Sequence, residues 1–376
     1  MRAILNRFAE SFRPRTAGVW IALLCVLALS LGATAAAAVQ LPAPLSPIVV
    51  NQITWLGALP NGGALAGENG TGSSFAVNQN GDIIAGTTYG NTLIMINGQT
   101  GAVTTLGTWS NISGVTVDSQ NNYYVSEQYG DTVVKVPYVN GAYATFNVPA
   151  TPTPPSTAGL CTGSDTVACL LPNLNSAANG YYVGVAAIAF DAAGDFFFTS
   201  GTGNVPYAIF ECSAACLYGT GSSTVLVYKE PTAASPSTTG QLTVGGLAID
   251  PWGNLFFTDS AYYASSSESF NSHVNELPYT AGTGYAATPI VLYTETDSAP
   301  AGYDNQLVGV AVDSNGTVYF TDLYDGVFAY PNDAGAVDTS KIYEISTQGG
   351  KLLTLDGKGN IYVVSNHSGN DTAARI

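Results

Sequence analysis

Between residues 75 and 376, short apolar runs alternate with small polar clusters, and one phrase returns six times: an apolar strand, Asp or Asn, two residues, Gly or Asn, then a second apolar strand. It reads Phe75-Ala-Val-Asn78-Gln-Asn-Gly81, Val115-Thr-Val-Asp118-Ser-Gln-Asn121, Ile188-Ala-Phe-Asp191-Ala-Ala-Gly194, Leu247-Ala-Ile-Asp250-Pro-Trp-Gly253, Val310-Ala-Val-Asp313-Ser-Asn-Gly316 and Leu353-Thr-Leu-Asp356-Gly-Lys-Gly359. The physics is that of a hairpin: the Asp or Asn side chain caps its own turn, and Gly or Asn takes the positive-φ position that other residues resist. Third strands are predicted at 93–96, 133–136, 208–212, 274–277 and 327–330, and outer strands at 103–106, 145–148, 225–229, 290–293 and 342–345. The sixth copy ends at 372–376, one strand short. The segment 48–59 has no other partner, so it is expected to pair as the outer strand of the last copy, where an open edge would otherwise remain.

The anchors at 78, 118, 191, 250, 313 and 356 are 40, 73, 59, 63 and 43 residues apart. The shortest spacings equal one four-stranded unit and the longer ones imply insertions. Such a period predicts an all-β, six-bladed β-propeller of four-stranded antiparallel blades over 48–376. The pattern Gly309-Val-Ala-Val-Asp313-x-x-Gly316-x-Val-Tyr-Phe-Thr-Asp322 resembles an NHL repeat. It departs from that family in lacking the Arg-Ile or Arg-Val that opens the third strand, except at Arg375-Ile376.

The first residues are a different text. Arg2, Arg7, Arg13 and Arg15 precede an apolar run at 19–31, and Ala33-Thr34-Ala35 and Ala36-Ala37-Ala38 offer small-residue cleavage sites. This is the pattern of a signal peptide, expected over 1–38 with a linker at 39–47, and it implies a secreted or periplasmic protein with no membrane span in the mature chain. Removing 1–38 takes away four basic residues and one acidic, which leaves 6 basic and 25 acidic and a net charge of −19. A surface of that sign repels phosphate backbones and excludes nucleic acid as a partner. It also leaves Cys161, Cys169, Cys212 and Cys216, an even number in an exported chain, which favours disulfides over metal ligation. The strand order puts the insertion 150–180 between the second and third blades and Cys212 and Cys216 at the opposite face. On that basis Cys161 is expected to pair with Cys169 and Cys212 with Cys216, because a bridge cannot cross a strand's length.

Nine residues past each anchor stand Thr87, Glu127, Ser200, Asp259, Asp322 and Ser365, at the end of the second strand and facing the rim that carries the insertions at 230–242, 260–272 and 295–306. Long loops on a rigid scaffold are where binding resides. Glu127, Asp259 and Asp322 are carboxylates that either cap the following turn or hold a cation. The resemblance extends to metal-dependent gluconolactonase-like propellers, in which a carboxylate near this point helps bind a divalent cation, and oxygen ligands suit Ca²⁺ or Mg²⁺ rather than zinc. Tyr89, Tyr129, Tyr262 and Tyr324 either ring the channel mouth, where a flat ring with a polar tip suits sugar or peptide contact, or pack against the neighbouring blade.

Acids, bases and anion clamps are scarce: His273 and His367 are the only histidines, and no Gly-x-Ser-x-Gly elbow, Walker loop or His-Glu-x-x-His helix is present. That scarcity favours a binding scaffold for an extracytoplasmic glycan, peptide or cell-wall partner. The alternative is a cation-dependent hydrolase or lyase resembling the gluconolactonase and strictosidine-synthase propellers.

Overall fold

The computed structural model describes residues 51–53, 75–87, 92–108, 112–127, 133–144, 146–147, 161–162, 164–171, 174, 185–200, 208–218, 224–229, 241–262, 272–295, 307–322, 325–333, 335–347, 350, 352–367 and 370–375. The expected signal peptide and linker lie outside these residues. No helix among them is long and apolar enough to cross a membrane.

The strands form an all-β propeller. Five four-stranded antiparallel sheets are built on Ile112–Val117, Val185–Phe190, Gln241–Ile249, Leu307–Val312 and Leu352–Leu355 as their first strands. The sheet at the start of the chain departs from the expected four strands. Its antiparallel strands Phe75–Val77, Ile83–Thr87, Thr92–Ile96 and Val103–Thr108 gain a fifth, Phe146–Asn147, which runs parallel to Val103–Thr108. First strands of successive sheets adjoin, and Leu352–Leu355 returns to Phe75–Val77, so the inner strands close on themselves. The last sheet takes its outer strand from the N-terminal side: Asn51–Ile53 pairs with Asn370–Arg375, Gln52 opposite Ala374. We number the sheets one to six in chain order of their first strands.

The turn phrase does what its chemistry requires. In every copy the side-chain oxygen of Asn78, Asp118, Asp191, Asp250, Asp313 or Asp356 accepts the backbone N–H groups two and four residues on, at 2.8–2.9 Å. The residue three on, Gly81, Asn121, Gly194, Gly253, Gly316 or Gly359, has φ between 69° and 92°. A second layer, less visible in the sequence, ties the third strand to this hairpin. Side-chain oxygens of Asp82, Asn122, Asp195 and Asn254, each four past its anchor, accept N–H groups of Gly98, Tyr138, Ala214 and Tyr279 at 2.8–3.1 Å. We call this the turn end of the sheets and the opposite end the rim.

A buried hydroxyl eight past the anchor sets how closely the sheets approach. Thr199, Thr258 and Thr321 accept N–H groups of Ala187, Gly246 and Gly309 at 2.8–3.0 Å, where each first strand bulges. Thr258 in turn donates to the Val308 carbonyl of the next sheet at 3.0 Å. Glycine is required there: a Cβ on Gly246 would lie 2.7 Å from that carbonyl oxygen.

The second sheet corrects the expected outer strand at 145–148. That role falls to Cys169–Leu170, paired with Lys135 and Val134, while Phe146–Asn147 crosses to the first sheet. The return limb carries the apolar residues: Cys161, Cys169, Leu171 and Leu174 are buried in one cluster with Phe196, Phe198 and Phe210. Hydrogen bonds from Cys161 N to Leu170 O and from Leu171 N to Val133 O fix it there.

The insertion containing Cys161 and Cys169 therefore connects the third and outer strands of one sheet, at the turn end, rather than joining two sheets at the rim. Lys135, opposite Cys169, donates to the Tyr218 hydroxyl at 3.2 Å, and Tyr218 ends the short helix Ala214–Tyr218 that holds Cys216. Both cysteine pairs thus belong to the same end. Cys161 bonds Cys169 and Cys212 bonds Cys216, with Cα separations of 5.0 and 5.3 Å. The two pairs are therefore not held apart on opposite faces, as the strand order led one to expect; proximity along the chain brings the partners together, at sequence separations of 8 and 4.

Candidate functional site

At the rim, the six positions nine past the anchors all lie in the second strands of their sheets, Thr87, Glu127, Ser200 and Asp322 as final residues. Their surroundings differ, and strand alternation explains how. Within the fourth and fifth sheets, residues two apart share a face. Tyr293 of the fourth sheet packs on Phe320 of the fifth, ring centroids 5.0 Å apart. Glu295 and Asp322, each two residues nearer the rim on these strands, accordingly meet above that aromatic contact. Asp325, from the turn that follows Asp322, joins them. One carboxylate oxygen from each of Glu295, Asp322 and Asp325 lies within 4.8 Å of the other two.

Two of the three carboxylates are withdrawn from water, Glu295 at 5% and Asp322 at 3% exposure, while Asp325 is exposed. Asp322 also accepts the Asp325 N–H at 3.1 Å, so it caps its turn and fixes the third member with the same side chain. The Tyr293 hydroxyl donates to Glu295 Oε2 at 3.3 Å. Its phenol is pushed well up, first by burial and then by the charges of Glu295 and Asp322. Ionised carboxylates this close repel by about 3.5 kcal/mol or more per pair at an effective dielectric of about 20, and a divalent cation among them reverses the sign. The donor set is all oxygen, which matches Ca²⁺ or Mg²⁺.

Asp259 stands on the other face of the fourth sheet, beyond Phe257, whose ring contacts Tyr228 of the third sheet at 5.2 Å. Its oxygens accept from the His273 N–H at 2.7 Å and from Asn275 Nδ2 at 2.9 Å, and Oδ1 lies 2.9 Å from His273 Nδ1. A proton on Nδ1 satisfies that contact. The structure thus sets Asp259 apart from Asp322. Glu127 ends its strand, its side chain outside the described residues. Tyr262 is placed by its backbone alone, opposite Gln241. Tyr89, Tyr129 and Tyr324 lie outside the described residues.

Glu295 and Asp325 were not singled out from the sequence, and His273 was noted only as one of two histidines, with no role at the rim. Asp325 sits in the phrase Asp322-Leu-Tyr-Asp325, where a second carboxylate three past the first was the available signal. Glu295 closes an outer strand and carries no local signal, since only the facing of two sheets brings it to Asp322. A second acidic and thiol group, Cys161, Asp165 and Cys169, is not a metal centre, because the two sulfurs are bonded to each other.

No protein-family model matches the chain, and no curated protein matches it. Among solved structures it is similar to a gluconolactonase from Xanthomonas campestris, at 12% identity over 82% of this chain and 87% of that one, with a TM-score of 0.50. It is also similar to a calcium-binding regucalcin from Agrobacterium tumefaciens, at 12% identity over 81% and 89% of the two chains, TM-score 0.47. A virginiamycin B lyase from Staphylococcus aureus follows at 13% identity over 87% and 98%, TM-score 0.46. At these identities the likeness to the gluconolactonase establishes the β-propeller fold.

Proposed function

We propose that the protein is an exported, divalent-cation-dependent hydrolase or lyase on a six-bladed NHL-like propeller, with the cation held by Glu295, Asp322 and Asp325. The convergence of these three carboxylates, two of them buried, carries the reading. Six blades follow if the first sheet counts as one, its fifth strand being an addition to the outer edge. The two disulfides and the absence of a membrane-length helix among the described residues are compatible with export.

Three carboxylates fill only part of the six to eight oxygen positions that Ca²⁺ takes, and water or a substrate oxygen completes the rest. A cation so placed polarises a carbonyl or lowers the pKa of a bound water. The gluconolactonase of like fold makes lactones the first substrate class to assay. A purely binding role has no comparable cluster behind it.

The test is calcium and magnesium titration of the purified full chain by calorimetry, with E295Q and D322N alongside. One cation per chain is expected, with affinity lowered more than tenfold, by analogy with the ~10–100-fold losses seen even for groups behind the ligands. At about 100 times Kd the cation should add roughly 2.7 kcal/mol of stability to the unaltered chain alone. Absence of binding at millimolar cation, or equal binding by both variants, refutes the site.

A further inference from the structure

The chain contains seven Asn-Gly pairs, and four of them, Asn80-Gly81, Asn97-Gly98, Asn140-Gly141 and Asn315-Gly316, belong to the described residues. Asparagine before glycine is the dipeptide most prone to attack by its own backbone, because glycine has no side chain to shield the nitrogen that follows. The reaction needs an Asn side chain that is free to turn, a Gly N–H that no acceptor holds, and room around the glycine. The four pairs differ in all of these.

Three pairs are locked. The Gly81 and Gly316 N–H groups donate to the carbonyls of their turn anchors, Asn78 and Asp313, each at 2.9 Å. The Gly98 N–H donates to Asp82 Oδ1 at 3.1 Å. Side chains are held as well: Asn97 Nδ2 donates to Asp82 at 2.9 Å while Asn97 Oδ1 accepts the Thr100 N–H at 2.8 Å, and Asn80 Nδ2 donates to the Tyr138 hydroxyl at 3.3 Å. Gly316 is buried against the Trp252 ring, and a Cβ on Gly98 would overlap the Gly81 carbonyl oxygen. Asn140-Gly141 is the exception. Val139 pairs with Ala142, which leaves Asn140 and Gly141 as a two-residue hairpin loop with φ of 52° and 86°, the positive values that a type I′ turn requires. Both residues are exposed, and a Cβ on Gly141 would meet nothing within 4 Å. Among the described residues nothing accepts the Gly141 N–H or holds the Asn140 side-chain amide.

We infer that Asn140 is a site of spontaneous covalent modification in the folded protein, at which asparagine becomes aspartate or isoaspartate. The Gly141 nitrogen gives its proton to solvent and bonds to Asn140 Cγ. The Cγ–Nδ2 bond then breaks, and ammonia leaves with a proton returned by solvent. Water opens the resulting cyclic imide at either carbonyl, so one water enters and one ammonia departs, with no oxidant or reductant. Opening on one side restores the ordinary backbone as aspartate; opening on the other carries the backbone through Cβ and lengthens the loop. A two-residue loop fixes the register of its hairpin. This hairpin bears Tyr138 and Tyr143, whose hydroxyls accept from Asn80 and Asn78 of the first sheet at 3.3 and 3.2 Å. The modification therefore falls on the contact between the first and second sheets at the turn end.

The experiment is storage of the full chain in mildly alkaline buffer below its melting temperature, beside the same chain unfolded in guanidinium, with peptide mapping by mass spectrometry at intervals. In the folded chain Asn140 is expected to convert at least about fivefold faster than Asn80, Asn97 or Asn315, the factor that opening one amide hydrogen bond of about 1 kcal/mol imposes on each of those. Unfolding is expected to bring the four rates together, because the dipeptide is the same. Chromatography against synthetic peptides is expected to show both aspartate and isoaspartate at position 140. An intact Asn140, a folded-state rate at Asn80, Asn97 or Asn315 that matches it, or a ranking that survives unfolding overturns the assignment.

Discussion

Replacing Gly309 by alanine tests whether the sheets are as closely set as the inner-strand geometry requires. The new Cβ would lie 2.7 Å from Leu353 N, 2.7 Å from Thr321 Oγ1 and 2.8 Å from Leu353 Cβ. None of these is the far end of a flexible chain. Leu353 belongs to the first strand of the next sheet, and Thr321 is buried and holds the Gly309 N–H. Relief means moving one inner strand by several tenths of an ångström against a packed neighbour, and such overpacking costs about 1–3 kcal/mol. Unfolding entropy of about 2.1 cal/mol/K per residue over roughly 320 residues converts this to a fall of about 1.5–4.5 °C in Tm. Gly357 is the matched control: its Cβ would meet nothing within 4 Å, and its φ is not positive. There alanine only reduces the freedom of the unfolded chain, worth about 0.4–1 kcal/mol of stabilisation. Differential scanning calorimetry should thus show opposite signs for G309A and G357A. Equal midpoints would refute the close approach of the fifth and sixth sheets.

Two further predictions concern the turn end. Glu211 is held above the ordinary carboxylate range by burial and then by Asp195 and Asp191. A raised folded pKa means the native state binds the proton more tightly, so its burden on stability sets in as pH rises above the unfolded value of about 4.3. Glu211→Gln should raise Tm at neutral pH, with the gain vanishing below about pH 4; a gain that persists in acid contradicts this cause. Non-reducing peptide mapping should recover Cys161–Cys169 and Cys212–Cys216 as separate linked peptides. Removing the first pair as C161S/C169S should cost about 2–3 kcal/mol by chain entropy, and an unchanged denaturation midpoint would show that the outer strand Cys169–Leu170 needs no staple.

Local chemistry was legible and facing was not. The six turn phrases, the five third strands and the closing segment around Asn51–Ile53 follow from turn residues, alternation and a missing partner, all of which a sequence states directly. The second outer strand did not follow, because 145–148 and 169–171 are both short segments that carry apolar residues. The choice between them rests on burial of Leu171 and Leu174 beside the third sheet and on one disulfide. Asp322 was legible as a rim carboxylate because it recurs at a fixed distance from its anchor. Its companion Glu295 was not, since the two meet only through the packing of Tyr293 on Phe320 across two sheets. Asp259 shows the same limit from the other side. At the same repeat position, it is engaged by His273 and Asn275, residues of its own sheet.

The difference between Asp259 and Asp322 follows from their third strands. Opposite Asp259 stands His273, which presents both a backbone N–H and an imidazole, with Asn275 two residues on. Opposite Asp322 stands Gly326, which has no side chain to offer, and the next residue on that face is the partly buried Phe328. A Cβ on Gly326 would lie 2.1 Å from the Ser346 carbonyl oxygen, at φ 140°, so glycine is required there for a packing reason. The same requirement means that the residue opposite Asp322 offers no side-chain donor, where His273 offers Asp259 an imidazole. Asp322 Oδ1 accepts the Asp325 N–H, and one Asp322 oxygen lies within 4.8 Å of a Glu295 oxygen. A repeat position met by an imidazole and an amide in one blade stands among carboxylates in the next, where tight packing of the third strand against its outer strand excludes any side chain from the facing position.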